Sequence, residues 1–267
     1  MIDLFSSFIY GIIQGLAEFL PISSSGHLAL LPHVLDLEDP GVAFDLAMHV
    51  GTAISIMIYF HRDVRYLTHK FYRMCVTRFR EYDAWTFNMF ISTLGTVLVA
   101  ALIKDLSEQY GRGLKMIAFN LFFFGLLLFL ADFFFKEAGS NLDKKSGKKA
   151  ALMIGLAQAL ALFPGVSRSG ITITMARFLK IPRKEAGKFS FLLSLPLILA
   201  GAVIKLPELA NAESFSFESC LFGVAVSAVV GFLTIHYFLR FIQKVGLWPF
   251  FIYRIALGAL ILFYFSR

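Results

Sequence analysis

The sequence predicts an all-α polytopic membrane protein with six transmembrane helices and two re-entrant helix hairpins, arranged as two repeats of inverted topology. Three observations support this fold class. The 267 residues are 58% hydrophobic and 16% charged, whereas soluble domains carry about 25% charged residues. Long apolar runs alternate with short charged segments. Two further apolar stretches, each broken near its centre, share a sequence pattern.

Six apolar runs approach the ~20 residues that a helix needs to cross the hydrocarbon core. They cover residues 43–60, 85–103, 114–135, 187–204, 217–239 and 249–265. We therefore expect one integral membrane domain over residues 1–267, with repeat 1 in residues 1–135, a cytoplasmic linker in 136–149 and repeat 2 in 150–267.

The two broken stretches are residues 4–32 and 150–179, interrupted by PISSSG at 21–26 and PGVSRSG at 164–170. Each predicts two half-helices around a polar turn. Non-helical backbone at membrane depth is tolerated only where protein or a wet cavity satisfies its amides and carbonyls. We therefore expect both turns to face a cavity.

A shift of 144 residues aligns the two hairpins with eight identities in sixteen positions, which indicates an internal duplication. The shared residues are Gly11, Gln14, Leu16, Ala17, Phe19, Ser23, Ser25 and Gly26 in the first hairpin.

The basic residues predict the orientation. Residues 62–80 contain six Lys and Arg, and residues 136–149 and 177–188 contain five each, so these three loops are expected in the cytoplasm. The balanced loop 104–112 and the acidic loop that contains Glu208, Glu213 and Glu218 are expected outside. The halves are then inverted, both termini lie outside, and the net charge of +7 reflects membrane orientation rather than a nucleic-acid partner.

Inverted repeats with broken helices typically place a polar site near the midplane, where half-helix N-termini face anionic groups. In the first hairpin, Gln14 and Glu18 share a helical face because of their i,i+4 spacing. Both can offer oxygen to a hard divalent cation that bridges to substrate phosphates. The alternative is a buried Glu18 that only caps backbone.

Ser24 and His27 begin the second half-helix, three residues apart, which suits a nucleophile activated by a base. Ser24 is the predicted nucleophile, with His27 or Glu18 accepting its proton. Attack by His27 itself or by metal-activated water remains open. Ser23 can equally be a helix N-cap.

Arg168 lies at the second break, where its planar guanidinium predicts a phosphate clamp. An arginine at membrane depth is a functional-site hypothesis by default, although it could snorkel near a helix end. The predicted phosphate-binding residues around both breaks are Ser23, Ser25, Gly26, Gly165, Ser167, Ser169, Gly170 and Thr172.

The remaining polar residues in apolar surroundings are interpreted as structural. No chemistry is assigned to His33, His49, His61, His69 or His236. Arg254 can snorkel from its helix, and Asp45, Asp132 and Lys205 lie near segment ends.

The motif QGLAEFLPISSSGH at 14–27, paired with PGVSRSGIT at 164–172, closely resembles the two signatures of the bacterial undecaprenyl-diphosphate phosphatase family, also called bacitracin-resistance proteins. The resemblance extends over the whole chain, although Gln14 is the less charged option at its position. It implies hydrolysis of undecaprenyl diphosphate to the monophosphate carrier lipid for cell-wall synthesis, supported by Mg2+ or Ca2+. It also implies a bacterial inner-membrane location, with contacts to membrane lipids and a site open to the periplasm; a homodimer is compatible with it.

Two other protein classes share part of this pattern. A polyprenyl-phosphate transporter or flippase would also use inverted repeats that meet at mid-membrane, but it would not need the Ser24, His27 and Arg168 constellation. The phosphatidic-acid-phosphatase superfamily shares a Ser-Gly-His triplet, yet its second motif requires a histidine where this chain has Thr174, so this relation is rejected.

Overall fold

The computed structural model of the protein describes residues 3–35, 40–110, 113–139, 142–144, 147–210 and 215–265. Within these ranges every regular element is a helix, which confirms the all-α prediction. The α-helices are α1 Leu4–Ala17, α2 Ser24–Leu35, α3 Val42–Tyr59, α4 His61–Val76, α5 Ala84–Tyr110, α6 Leu114–Phe134, α7 Lys148–Gln158, α8 Arg168–Phe178, α9 Arg183–Ala210, α10 Phe217–Lys244 and α11 Trp248–Phe265.

Within the described residues, four helices, α5, α6, α9 and α10, are long and apolar enough to cross a membrane. Each contains all or all but one residue of a predicted span. Helix α3 is followed by α4 at an angle of 90°, and the two together could form a fifth span. Helix α11 has 18 residues, or about 27 Å of length at 1.5 Å per residue. The chain is therefore a multi-pass membrane protein.

Both predicted helix breaks are present. Helix α1 ends at Ala17 and α2 begins at Ser24, whereas α7 is extended by a 3-10 turn, Ala159–Leu162, before α8 begins at Arg168. Helices α2 and α8 thus begin 144 residues apart, as the sequence repeat requires. The two half-helices of each hairpin pack against each other.

The packing of the helices follows the repeat. Helix α1 packs on α10 of the second half, and α7, its counterpart, packs on α5 of the first half. Helix α3 packs on α9, and α6 packs on α11. Each hairpin is therefore supported mainly by a helix from the other repeat, so that neither half is complete without its partner.

A duplicated glycine permits these cross-repeat contacts. A Cβ atom on Gly11 of α1 would lie 2.7 Å from the carbonyl oxygen of Gly223 on α10, and one on Gly155 of α7 would collide with the backbone of Ser92 on α5. Small residues of this kind let helix axes approach closely inside a membrane. The repeat identity at these two positions therefore reflects packing rather than chemistry.

Two segments predicted as basic loops are largely helical. Residues 61–76 form α4, and Arg177 lies near the end of α8 while Arg183 begins α9. Local charge density misled the prediction, because these basic residues occupy polar faces or helix ends. Some predicted loop residues lie outside the described residues, namely those at 111–112, 140–141, 145–146 and 211–214, which include Arg112, Ser140 and Glu213. The side chains of His33, Lys205 and Glu208 also lie outside them.

One charged cluster ties the ends of several helices together. The carboxylate of Asp132, at the end of α6, accepts hydrogen bonds from Arg177 Nε at 3.0 Å and Arg183 Nε at 2.7 Å. It also accepts the backbone N–H of Leu247 at 3.0 Å. The prediction that Asp132 is structural is confirmed, because it joins α6, α8, α9 and the approach to α11.

Candidate active site

The two helix breaks use the same turn. Ser23 and Ser167 have φ angles of 75° and 72°, a left-handed conformation that non-glycine residues rarely adopt. The Oγ of Ser23 accepts the N–H of Gly26 at 3.3 Å, and the Oγ of Ser167 accepts the N–H of Gly170 at 3.1 Å. Both serines therefore cap the helix that follows. A strained backbone conformation of this kind is retained where surrounding contacts hold it in place, which is typical of functional sites.

The two turns contact each other directly. The Oγ of Ser23 also accepts the backbone N–H of Gly165 at 3.2 Å. In the opposite direction, Ser169 Oγ donates to the carbonyl oxygen of Leu20 at 3.1 Å. The structure thus brings together the two motifs that the sequence analysis placed at one site, although they lie about 144 residues apart.

Arg254 of α11 holds both turns in place. Its side chain is fully buried, and its Nη1 donates to the carbonyl oxygens of Pro21 at 3.2 Å and Val166 at 3.1 Å. Nη2 donates to Gly165 O at 2.9 Å and Asn120 O at 3.1 Å. The prediction that Arg254 could snorkel is wrong. Its guanidinium instead satisfies carbonyls that the broken helices leave without intrahelical donors.

Glu18, the residue that follows α1, is the centre of the polar cluster. It is buried and its Oε2 accepts hydrogen bonds from Gln14 Nε2 at 3.0 Å and Ser24 Oγ at 2.7 Å. Arg168 Nη2 donates to the other oxygen, Oε1. His49 Nε2 of α3 lies 3.4 Å from Oε2. The predicted shared face of Gln14 and Glu18 is present, and one carboxylate joins side chains from both hairpins.

His27 is engaged away from Ser24. Its Nδ1 lies 2.8 Å from the carbonyl oxygen of Ser23, so Nδ1 carries a proton and donates there. Its Nε2 lies 2.6 Å from the hydroxyl of Tyr253, and the two rings stack with centroids 5.6 Å apart. Of the two predicted proton acceptors for Ser24, the structure places Glu18 in contact with its hydroxyl and gives His27 other partners.

The predicted catalytic and phosphate-binding residues of the two turns divide into a buried set and an accessible set. Ser25 is exposed, and Ser24, His27 and Arg168 are partly exposed. The residues Ser23, Gly26, Gly165, Ser167, Ser169, Gly170 and Thr172 are buried. The buried set consists mainly of turn residues with internal partners. Thr172, for example, donates to the carbonyl oxygen of Arg168 at 2.8 Å and contacts Ser190 Oγ at 2.7 Å.

One polar atom of the accessible set lacks a partner. Arg168 Nη1 is buried and forms no hydrogen bond within the described residues, although Nη2 of the same guanidinium binds Glu18. A buried donor without a partner is costly unless a ligand supplies the acceptor. An anionic oxygen is the acceptor that a guanidinium prefers. The free nitrogen therefore fits a phosphate group beside Ser24 and Glu18.

The residues present also fit a divalent cation. Gln14 Oε1 is a buried acceptor without a partner within the described residues, and it belongs to the amide that binds Glu18. The described part of the chain holds no group of three or more His, Cys, Asp or Glu side chains suited to a metal ion. Mg2+ needs only one or two protein carboxylates when phosphate oxygens complete its coordination.

The match to a known family covers most of the chain. The family model described as bacitracin resistance protein BacA matches residues 7–260. The chain belongs to the BacA family.

Curated members of the BacA family resemble this chain over nearly its full length. An undecaprenyl-diphosphatase of Marinobacter nauticus is 39% identical over 97% of this chain and 98% of its own. Undecaprenyl-diphosphatase 2 of Stutzerimonas stutzeri is 39% identical over 99% of both chains. An undecaprenyl-diphosphatase of Saccharophagus degradans is 40% identical over 96% of both.

Three residues of this site are not predicted from the sequence. His49 is assigned no chemistry there, yet its Nε2 lies 3.4 Å from Glu18 Oε2. Tyr253 is not predicted as a site residue, yet its hydroxyl contacts His27, and Arg254 is predicted only to snorkel. One sequence signal points to His49, since it is an imidazole within a predominantly apolar predicted span. The sequence gives little indication that Tyr253 and Arg254 belong to the site, because they lie more than 200 residues from the first hairpin.

Proposed function

We propose that this BacA-family protein is an undecaprenyl-diphosphate phosphatase, which hydrolyses the terminal phosphate of a polyprenyl diphosphate and regenerates the monophosphate carrier lipid for cell-wall synthesis. Removal of the diphosphate form would make bacitracin resistance a consequence. The names of the curated relatives support this function. The single observation that carries it is the Ser24–Glu18–Arg168 cluster, in which a hydroxyl, its hydrogen-bonded carboxylate and a guanidinium with one free nitrogen meet.

Arg168 binds the terminal phosphate in this proposal. Its Nη1, which has no partner within the described residues, donates a hydrogen bond to a phosphoryl oxygen, while Nη2 keeps its contact with Glu18. The guanidinium then stabilises the charge that develops on the phosphoryl oxygens during transfer. Ser25, exposed at the start of α2, and the amides of the two capped helix starts provide further donors for the diphosphate. The buried members of the predicted phosphate-binding set hold the shape of the two turns.

Ser24 attacks the terminal phosphorus. Its hydroxyl already donates to Glu18 Oε2 at 2.7 Å, so the carboxylate can accept the proton as the oxygen forms its bond to phosphorus. The bond between the terminal phosphorus and the bridging oxygen breaks, and undecaprenyl phosphate leaves with the electron pair. Water then attacks the phosphorus of the phosphoserine, and the bond between phosphorus and Ser24 Oγ breaks. Glu18 returns its proton to Oγ, and inorganic phosphate leaves with the hydroxyl of the water while the remaining proton goes to solvent.

Direct attack by His27, or attack by water, is the rival mechanism. His27 donates through Nδ1 and has its Nε2 in contact with Tyr253, so the imidazole would have to leave that hydroxyl before it could attack. Parallel quenching of the turnover reaction with acid and with base distinguishes the mechanisms. A phosphate that survives on Ser24 in acid supports the serine. A base-stable adduct on His27, or no adduct under either quench, contradicts it.

Glu18, with Gln14 Oε1, would hold a divalent cation, Mg2+ or Ca2+, and this ion would supply charge neutralisation for the diphosphate. Gln14 Oε1 faces no protein donor among the described residues. Glu18→Gln should strongly reduce metal-dependent turnover, because it removes the carboxylate charge while preserving size. An unchanged rate and an unchanged response to added Mg2+ would refute this role.

The proposed topology has six spans, with α3 and α11 added to α5, α6, α9 and α10, and two re-entrant hairpins, α1–α2 and α7–α8. The cross-repeat packing supports two inverted halves, in residues 1–135 and 150–267, joined by the linker 136–149. Both termini lie outside the bacterial inner membrane, and the site opens to the periplasm. A cysteine at Ser140, which lies outside the described residues, should be labelled only after permeabilisation in a chain whose native cysteines are replaced. Ready labelling of intact cells would overturn this orientation.

Phosphate release from polyprenyl diphosphate by purified protein in detergent tests the function. Detergent removes any gradient or second compartment, so a transporter or flippase alone would release no phosphate. Release that depends on Ser24 and is abolished by EDTA supports the proposed phosphatase and its metal. Absence of release from monodisperse protein would favour transport. Light scattering of the same preparation tests the homodimer.

A further inference from the structure

Helix α4, His61–Val76, combines a polar face with an apolar one. It follows α3 at 90°, so it does not continue the direction of that span. Its side chains Val64, Leu67 and Phe71 recur at helical spacing and line one groove. Arg65, Arg73 and other cations lie on the rest of its surface. A helix of this composition beside a membrane span is typical of an interfacial helix, which lies in the headgroup region.

The groove beneath α4 is apolar and of ligand size. Helices α4, α5 and α9 form its walls, and its volume is about 340 Å3, within the range of ~300–1,000 Å3 for ligand pockets. Its apolar lining includes Val64, Leu67, Phe71, Met89, Phe90 and Leu195.

The three threonines that line this groove present no free hydroxyl proton. Thr68 Oγ1 and Thr93 Oγ1 donate to backbone carbonyl oxygens one turn earlier in their own helices, at 2.8 and 3.0 Å. Thr86 Oγ1 donates to Asp83 Oδ2 at 2.7 Å. With their hydroxyls already satisfied, these side chains add little polarity to the wall. The groove therefore suits a hydrocarbon chain.

Most cations of α4 and the following turn form no ion pair with a carboxylate of the described residues. Asp63 accepts a hydrogen bond from Lys188 Nζ at 2.6 Å. Arg73 binds Glu81 at 2.9 and 2.5 Å, and this hydrogen-bonded guanidinium holds the pKa of the Glu81 carboxyl below its usual range. The remaining cations of residues 61–81, which have no ion pair within the described part of the chain, are Arg62, Arg65, Lys70, Arg78 and Arg80.

We propose that the groove holds one acyl chain of an anionic diacyl phospholipid, and that the unpaired cations of α4 and the following turn bind its headgroup. Arg65 follows Val64 and Lys70 precedes Phe71 in sequence, so both cations adjoin groove residues on α4. Their long stems can snorkel along the helix while the charges reach the headgroup level. This inference concerns a lipid site separate from Glu18 and Arg168, and it does not rest on the proposed phosphatase activity.

Trp85 provides an intrinsic probe of this groove. It directly precedes Thr86, a groove residue, and the chain has only one other tryptophan, Trp248. A Trp248→Phe variant of the full chain therefore reports on Trp85 alone. Phosphatidylglycerol and phosphatidylcholine with identical brominated acyl chains are titrated into detergent micelles of this variant. Quenching of Trp85 should saturate at a lower mole fraction of phosphatidylglycerol than of phosphatidylcholine.

Two sets of substitutions in the same background test the charge and the groove separately. Arg65→Gln combined with Lys70→Gln should lower the preference for phosphatidylglycerol by roughly fivefold per charge removed. Lys104→Gln combined with Lys115→Gln removes two charges far from the groove and should leave the preference intact. Thr93→Phe should fill the groove and abolish quenching by both lipids, whereas Val97→Phe, one turn further along α5 on an exposed position, should not.

Three results would overturn the proposal. Equal quenching by the two lipids would show that the cations do not select an anionic headgroup. Undiminished quenching in monodisperse Thr93→Phe protein would place the acyl chain elsewhere. Displacement of the brominated lipid by polyprenyl diphosphate, with a raised KM in Thr93→Phe, would assign the groove to the substrate tail instead. None of these results depends on whether the Ser24 mechanism is correct.

Discussion

The hairpin of residues 4–32 and the hairpin of residues 150–179 use the same turn to present different functional groups. At equivalent positions the first has Glu18 and Ser24 where the second has Leu162 and Arg168. The capping serines and their φ angles, by contrast, are common to both. The residues common to both hairpins form the strained turns, and the residues that differ are Glu18, Ser24 and Arg168, which carry the proposed mechanism. The proposed site therefore takes side chains from both halves, and the two turns contact each other directly.

The first hairpin should carry the nucleophile, so Ser24→Ala has the largest expected effect. Removal of the Oγ should lower turnover of polyprenyl diphosphate by about 10^3-fold or more, as for other nucleophiles that act as a unit with their base. Phosphate release in detergent measures it. Ser227→Ala, which removes a buried hydroxyl that donates to Met48 O at 2.9 Å, controls for folding. Near-normal turnover of Ser24→Ala would eliminate the serine mechanism.

The second hairpin should stabilise the charge that develops on the phosphoryl oxygens. Arg168→Lys tests whether this requires the two terminal nitrogens of the guanidinium. Lysine keeps the charge but cannot contact Glu18 and phosphate with two fixed nitrogens. Turnover should fall by about 10^2-fold, a typical cost of losing one preorganised donor. Arg240→Lys, at an exposed position on α10, should behave like the parent protein. If Arg168→Lys also does so, the bidentate clamp is excluded.

Arg254, which contacts the turns of both hairpins, should contribute to the stability of the protein rather than to one chemical step. Arg254→Lys leaves several buried carbonyl oxygens without donors, since one ammonium cannot replace the three nitrogens of the guanidinium. Each unsatisfied buried group costs roughly 1–3 kcal/mol, so a loss of about 3 kcal/mol or more is expected. Thermal unfolding in detergent measures it. A melting temperature equal to that of Arg240→Lys would show that the turns do not need Arg254.

The smallest expected effect concerns the metal. Gln14→Glu adds a second carboxylate on the helical face of Glu18 and should tighten Mg2+ binding by about tenfold or less. Titration of turnover with Mg2+ measures the change. Gln158→Glu is the matched control, because Gln158 holds the equivalent position in the second hairpin, where its amide binds Thr96 at 2.9 Å. Unchanged or weaker Mg2+ dependence in Gln14→Glu would show that this residue is not near the ion.

The helix breaks and their turns were largely predictable from local sequence. The hydrogen-bond partners of the site residues were only partly predictable. The i,i+4 pair Gln14 and Glu18 and the capping role of Ser23 depend on neighbouring residues, and the structure confirms both. Spacing along α2 favoured His27 as the partner of Ser24. In the structure Tyr253, which is 226 residues away, binds His27 instead. Spacing along one helix could not anticipate a contact from another.

Local sequence is sufficient to predict that the chain is a helical membrane protein, where its helices break, and that the two breaks are related by an internal repeat. These features follow from apolar run length, from proline, glycine and serine at the breaks, and from the 144-residue repeat, all of which are local properties. Three contacts of the site become visible only in the folded chain: Glu18 binds both Ser24 and Arg168, His49 lies beside the same carboxylate, and Arg254 is buried against both turns. Such contacts depend on how distant helices cross, and helix crossing is set by the packing of whole surfaces rather than by any short motif.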